Sequence, residues 1–174
     1  MGFEVEAGVF DDVEETGDTF EENSLLKARA VSKLYGEFTV ADDSGLCVEA
    51  LGGRPGVYSA RYAGEGASDR DKYEKLLLEL SGEKDRRAKF VTAASLVFPD
   101  GREITAVGEV EGLITEEPAG EGGFGYDPVF FCPELGKTFG EAAPEEKNSV
   151  SHRARAMEKL SDKLRKILAE DREV

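Results

Sequence analysis

Apolar residues change their spacing several times along this chain, and each change marks an element. Phe20, Val31 and Leu34 fall on one stripe at 3.6-residue spacing, which predicts a helix from about Thr19 to Tyr35. Asp18 is its expected N-cap, with Glu21 reaching back, and Gly36 its stop. Phe38-Thr39-Val40-Ala41 then reads as a short buried strand, ended by the polar turn Asp42-Asp43-Ser44-Gly45. Ser68 can cap a second helix running to about Leu80, where Ser81-Gly82 closes it. Ala88 to Phe98 and Arg102 to Ile114 are long β-branched segments separated by Pro99-Asp100-Gly101, so an antiparallel hairpin is predicted. A glycine-rich loop from Gly120 to Pro128 leads into the apolar strand Val129-Phe130-Phe131, and a last helix is predicted from about Ser149 to Glu170. Helices and strands combined with a long hairpin give an α/β or α+β fold on a mixed, twisted sheet. The 174 residues suit a single domain over 1–174.

Charge narrows the partners. A formal charge of −15 argues against a protein that coats nucleic acid, because phosphate backbones are held by basic surfaces. A small phosphorylated substrate remains open, since salt screens distant surface charge beyond about 8 Å and a local cluster of cations suffices. No run approaches a membrane span, and Met1-Gly2-Phe3-Glu4-Val5 carries no basic region followed by an apolar signal core. A cytoplasmic protein without a membrane partner is expected. Cys47 and Cys132, the only cysteines, lack the spacing of a metal pair and read as free buried thiols.

Polar residues that interrupt the apolar pattern are the candidates for chemistry. Lys27 stands in the middle of the first helix's stripe, where it either runs its ammonium out to solvent or meets an anion in a cleft. On the last helix Arg153 shares a stripe with Val150, Met157, Leu160, Leu164 and Ile167, so an inward guanidinium is predicted in the first turn, beside His152 and behind Lys147. A structural carboxylate partner would explain Arg153 equally well, given 37 acidic residues. Adjacent Asp42 and Asp43 repel one another, which suits a cation, Mg²⁺ above all, although Asp-Asp-Ser-Gly also reads as a solvated turn. Glu14-Glu15-Thr16-Gly17 alone is an acidic turn. In Gly122-Gly123-Phe124-Gly125-Tyr126-Asp127-Pro128 the glycines allow a ligand to approach the backbone while two aromatics offer a stacking face, or the aromatics serve the core.

Five ordered blocks resemble the inosine/xanthosine triphosphate pyrophosphatase family: residues 15 to 29 from Glu-Thr-Gly-Asp-Thr-Phe to Lys-Ala-Arg, Ala-Asp-Asp-Ser-Gly-Leu at 41 to 46, Leu-Gly-Gly-Arg-Pro-Gly-Val-Tyr-Ser-Ala-Arg-Tyr at 51 to 62, Gly-Phe-Gly-Tyr-Asp-Pro-Val-Phe at 123 to 130, and Lys-Asn-Ser-Val-Ser-His-Arg at 147 to 153. The resemblance implies two lobes around a central cleft, a homodimer, and cleavage of nonstandard purine nucleoside triphosphates (ITP, dITP, XTP) to monophosphate and pyrophosphate. It implies that Glu15 and Asp43 hold Mg²⁺ with Asp42 close by, and that Asp43 is also the general base. It further implies that Lys27 binds phosphate, Ser44 touches substrate, Phe124 stacks on the base with Gly125, Tyr126 and Asp127 completing the loop, and Lys147, His152 and Arg153 read the oxygenated purine edge.

The family opens with a strand, a Thr-Gly-Asn-x-x-Lys loop and a helix, whereas Gly2-Phe3-Glu4-Val5 looks like the second strand. An N-terminally truncated fold is therefore expected, with a nucleotide-binding homologue of impaired turnover as the alternative to an active enzyme and a dimerisation module as a third reading.

Overall fold

The computed structural model describes residues 13–172, so the strand expected at Gly2 to Val5 lies outside the described residues. Helix α1 spans Phe20–Tyr35 and ends as expected at Gly36, whose φ of 66° only glycine adopts freely. Its start lies one residue later than expected. Thr19, not Asp18, is the N-cap, accepting the Glu22 N–H at 3.1 Å, while the Glu22 carboxylate reaches back to the Asp18 N–H at 2.7 Å.

Strand β1, Thr39–Val48, does not stop at Asp42. It runs through Asp-Asp-Ser-Gly because β2, Arg87–Val97, supplies a full ladder opposite it, with Asp42, Asp43 and Ser44 facing Ala94, Ala93 and Thr92. Helix α2, Asp69–Glu79, lies between these strands in sequence and carries the expected Ser68 cap, boxed with Asp71. The predicted hairpin is present: β2 pairs antiparallel with β3, Glu103–Ile114, around a turn closed by Gly101 N–H to Phe98 C=O at 3.0 Å. The short strands β4, Phe130–Cys132, and β5, Lys137–Thr138, complete a five-stranded sheet in sequence order, antiparallel at every described pairing.

The expected last helix is two helices. The backbone leaves the helical region at Ser151 (ψ 147°), separating α3, Pro144–Val150, from α4, His152–Glu170, and the Ser151 hydroxyl caps α4 by accepting the Ala154 N–H at 3.2 Å.

Two hydrophobic clusters share one face of this sheet. Ala94, Leu96, Phe98 and Ala106 pack under Ala156, Leu160 and Leu164 of α4. Leu46, Val48, Phe90 and Val110 pack with Leu76 and Leu80 from α2, and with Phe130 and Phe139. Between the clusters the same face carries Asp42, Ser44, Thr92 and Gly108, a polar band across β1, β2 and β3. The start of α4 lies on that band: a Cβ on Gly108 would come within 2.1 Å of the His152 carbonyl oxygen. Strand alternation sends Asp43 and Ser95 to the other face, where the Ser24 and Ser95 hydroxyls meet at 2.6 Å beneath α1. The buried residues of α1 are accordingly Asn23, Ser24, Ala28 and Ser32, and the expected apolar stripe is not its core face, Leu34 being 74% exposed. Small side chains let the helix sit close to the strands.

Candidate active site

On the α1 face, Asp43 is buried at the centre of β1. Lys27, one helical face away from solvent, places its ammonium 2.7 Å from Glu15 Oε1 and 3.4 Å from Asp43 Oδ1. The lysine thus meets anions rather than solvent, and the three residues form one cluster. Asp43 Oδ2 is buried without a hydrogen-bond partner among the described residues. Burial pushes the Asp43 carboxyl above its usual range, Lys27 opposes that shift, and the Glu15 charge adds to it. Asn23, which sequence reasoning passed over, braces this corner: it is buried and accepts the Gly17 N–H at 2.7 Å, fixing the segment that carries Glu15. Its signal was its position, an amide on the inward side of a helix.

Asp42 occupies the opposite face of β1 and does not share the Glu15–Asp43 cluster. Its Oδ2 accepts from Arg153 Nε at 3.0 Å. Arg153 is exposed, with a side chain 54% accessible, so the expected inward guanidinium is not found. The inward residue of that turn is His152, because α4 begins at His152 and buries the series His152, Ala156, Leu160 and Leu164. Ser44 lies beside Asp42 and shares a hydrogen bond with Thr92 at 2.7 Å. His152 is stacked on Phe90, ring centroids 4.9 Å apart and planes 15° from parallel, and its Nδ1 is buried without a partner among the described residues. Burial, with Arg153 and Lys147 nearby, holds its pKa down at about 3, so the ring is neutral at physiological pH.

The glycine-rich loop is fastened from beneath. Asp127, 2% exposed, takes the Lys147 ammonium in an ion pair and accepts the Phe124 N–H at 3.0 Å. Gly123 permits this because its φ is 72° and a Cβ there would lie 2.0 Å from Asp127 Oδ2. Asp69, at the start of α2, accepts the Gly125 N–H at 2.7 Å, a contact that no pattern along the chain predicts. Tyr126 is buried and donates to the Ser59 carbonyl at 2.7 Å, which makes it an anchor of the loop. Phe124 stays 62% exposed, its ring 4.2 Å from the Lys147 ammonium. An exposed aromatic face beside a cation is a surface on which a planar, electron-rich ring can stack.

The arrangement has two halves that meet at β1. One holds two carboxylates and a lysine. The other holds an exposed phenyl ring, a lysine, an arginine and a neutral imidazole. Among the described residues no three His, Cys, Asp or Glu side chains gather at one point. A Mg²⁺ ion nevertheless fits Glu15 and Asp43, because Asp43 Oδ2 is a buried, unpartnered oxygen and magnesium needs only one or two carboxylates when waters and phosphate oxygens complete its shell.

A family model, that of the Ham1 family, matches residues 3–163. A dITP/XTP pyrophosphatase from Bacillus subtilis is 52% identical over 158 residues, covering 90% of this chain and 80% of that protein. Its counterpart in Clostridium perfringens is 53% identical over 171 residues, covering 94% and 84%. Among solved structures, the Ham1 protein of Staphylococcus aureus superposes with a TM-score of 0.85 at 49% identity, covering 89% of this chain and 81% of that one. The nucleoside-triphosphatase / dITP/XTP pyrophosphatase of Mycobacterium abscessus gives a TM-score of 0.75 at 46% identity, covering 88% and 79%. The family model engages from residue 3, and these relatives are matched over about four fifths of their length.

Proposed function

The chain belongs to the Ham1 family, and from that membership and the geometry at β1 we propose that it is a pyrophosphatase that hydrolyses nonstandard purine nucleoside triphosphates (ITP, dITP and XTP) to the monophosphate and pyrophosphate. The observation that carries the reading is the buried Asp43 carboxylate, with one oxygen free, beside the Lys27 ammonium and the Glu15 carboxylate.

Glu15 and Asp43 are the residues that would hold Mg²⁺. When bound there, the ion would neutralise triphosphate charge and ease in-line attack by water at phosphorus. Asp43 accepts the proton of the attacking water as general base. Lys27 supplies positive charge to the phosphates from α1. Across β1, Phe124 stacks on the base, with Gly125, Tyr126 and Asp127 holding its loop, and Ser44 and Arg153 lie at the crossing between the two halves. Lys147 and His152 read the 6-oxo edge. Adenine, with a 6-amino group, would leave those donors unpaired, so a ratio of kcat/KM for ITP over ATP of about 10²-fold is expected. Steady-state kinetics on ITP, dITP, XTP and ATP with Mg²⁺ test this, and equal turnover of ITP and ATP would overturn it.

The same reading carries a single domain over 1–174, in which one sheet is shared by both hydrophobic clusters, and a homodimer. It also carries a cytoplasmic location, which two free thiols favour.

Lys27 now sits where a cation belongs, between Glu15 and Asp43. Removing its charge should therefore raise the affinity of the nucleotide-free protein for Mn²⁺, used as a spectroscopic substitute for Mg²⁺, by about tenfold, or ~1.4 kcal/mol. Electron paramagnetic resonance of free Mn²⁺ titrated with Lys27→Met measures it. Weaker binding in the variant would place the ion elsewhere.

A further inference from the structure

An aromatic column runs through the core directly beneath the base half of the site. His152 stacks on Phe90, and Phe90 lies parallel to Phe139, 5.9 Å apart at an interplanar angle of 7°. Phe139 lies 5.5 Å from the Lys147 ammonium, which in turn caps the exposed Phe124 ring. Phe130 buttresses the column from the side, 4.5 Å from Phe90 and 5.0 Å from Phe139. The groups assigned to the purine are thus seated on rings that themselves have no access to it, Phe90 and Phe139 being buried.

We infer that Phe90 is a positioning residue for base discrimination, fixing the plane of the His152 imidazole at the base half of the site. This deepens the reading that His152 faces the base and rests on it. Three observations support the step. His152 is only 8% exposed, and its Nδ1 is buried without a partner among the described residues, so no hydrogen bond there fixes the ring. The described interaction that holds the ring's plane is the face contact with Phe90; no described hydrogen bond does so. The backbone beneath is fixed independently, since the His152 carbonyl lies against Gly108 and Ser151 caps the helix, so changing Phe90 frees the ring without moving α4.

Neutrality of the ring belongs to the same device. A neutral imidazole carries one donor and one acceptor, whereas an imidazolium offers two donors and loses the ability to distinguish them. The charged groups facing His152 are Lys147 from α3 and Arg153 from α4, both positive, and Phe90 closes the remaining side with an apolar face.

His152 is the only histidine in the chain, so its ring protons give an unambiguous nuclear magnetic resonance signal. In the unaltered protein those signals are expected to be shifted upfield by the Phe90 ring and to stay constant between pH 5 and 8. A ring that titrates in that window at its ordinary value would overturn the proposal without any variant being made. Phe90→Leu should abolish the upfield shift and lower the ITP-over-ATP ratio of kcat/KM by about tenfold, through a rise in KM for ITP with kcat largely retained. Phe90→Tyr, which keeps the ring, should restore both. Phe130→Leu removes a comparable core side chain that has no described ring contact with His152, and should lower the thermal midpoint while leaving the histidine signals and the ratio in place. Equal loss of discrimination in Phe130→Leu and Phe90→Leu would reduce Phe90 to a core residue. Failure of the unaltered protein to prefer ITP would instead count against the proposed function itself, whatever the histidine signals show.

Discussion

Replacing Asp43 with asparagine is expected to lower turnover of ITP by about 10³-fold, within the range a general base contributes, while leaving the thermal midpoint at neutral pH equal to or above that of the unaltered protein. The two halves of this result come from one cause. Burial in the middle of β1 disfavours the ionised carboxylate more than Lys27 and Asn23 offset, and Oδ2 has no hydrogen-bond partner among the described residues. The folded protein therefore holds the Asp43 proton more tightly than the unfolded chain, where an aspartate titrates near 3.9. Protonated Asp43 carries no such penalty, so its contribution to folding is intact below the unfolded value and is lost as pH rises through the higher folded one. At neutral pH the penalty is complete, and an isosteric amide removes it; below pH ~4 the aspartate is itself protonated and the advantage of the variant should vanish. Lys27 keeps Glu15 at 2.7 Å in the variant, so no cation is stranded. Thermal melts at pH 7 and pH 4 alongside kcat measure the pair of effects. Retention of more than a tenth of the turnover, or a fall of several degrees at neutral pH, would contradict the assignment.

The second large effect falls on stability. Asp127→Ala should cost about 3–5 kcal/mol, the range for breaking a buried ion pair from one side. At 2–4 °C per kcal/mol for a domain of this size, the midpoint falls by roughly 10 °C. Asp127 accepts both the Lys147 ammonium and the Phe124 N–H, and the Lys147 side chain is only 13% exposed, so its charge would be left without compensation. Lys147→Met is expected to cost less. Burial already pushes the Asp127 carboxyl up, so on loss of its lysine it can take a proton instead of remaining an isolated anion. Combining the two substitutions should recover part of the Asp127→Ala loss, because the stranded charge is then absent. Calorimetry of the three variants decides it. A double variant less stable than Asp127→Ala by the full cost of Lys147→Met would mean that the two residues do not act as a pair.

The hairpin was legible because β-branched segments on either side of Pro-Asp-Gly allow little else, and the caps at Ser68 and Gly36 because each is a local device of a few residues. The continuation of β1 through Asp42 and Asp43 was not. Two adjacent carboxylates look like a turn until one knows that β2 offers Ala94 and Ala93 opposite them, which keeps the strand going and lets its alternation give each carboxylate its own side of the sheet. The separation of Asp42 from Asp43 onto opposite faces follows from the same fact. On α4 a helix that began before Ser151 would turn Arg153 inward, whereas the start at His152 turns the histidine in and the arginine out. On α1 the apolar stripe misled because close packing against β1 and β2 selects small residues, Ser24, Ala28 and Ser32, over large ones. Of the clusters that join distant segments, family resemblance places Lys27 and Asp43 at one site, whereas nothing in the sequence predicts the ion pair of Lys147 with Asp127.

The central claim is that the carboxylate and lysine cluster on β1 and α1 directs water to the bond that releases pyrophosphate. It is tested most directly by ³¹P nuclear magnetic resonance of ITP incubated with the protein and Mg²⁺, with Asp43→Asn as the control. The expected spectrum shows inosine monophosphate and pyrophosphate growing in equal amounts, with neither orthophosphate nor the diphosphate, and no change over the same time in the control. Orthophosphate with inosine diphosphate, or an unchanged triphosphate in the unaltered protein, would contradict it.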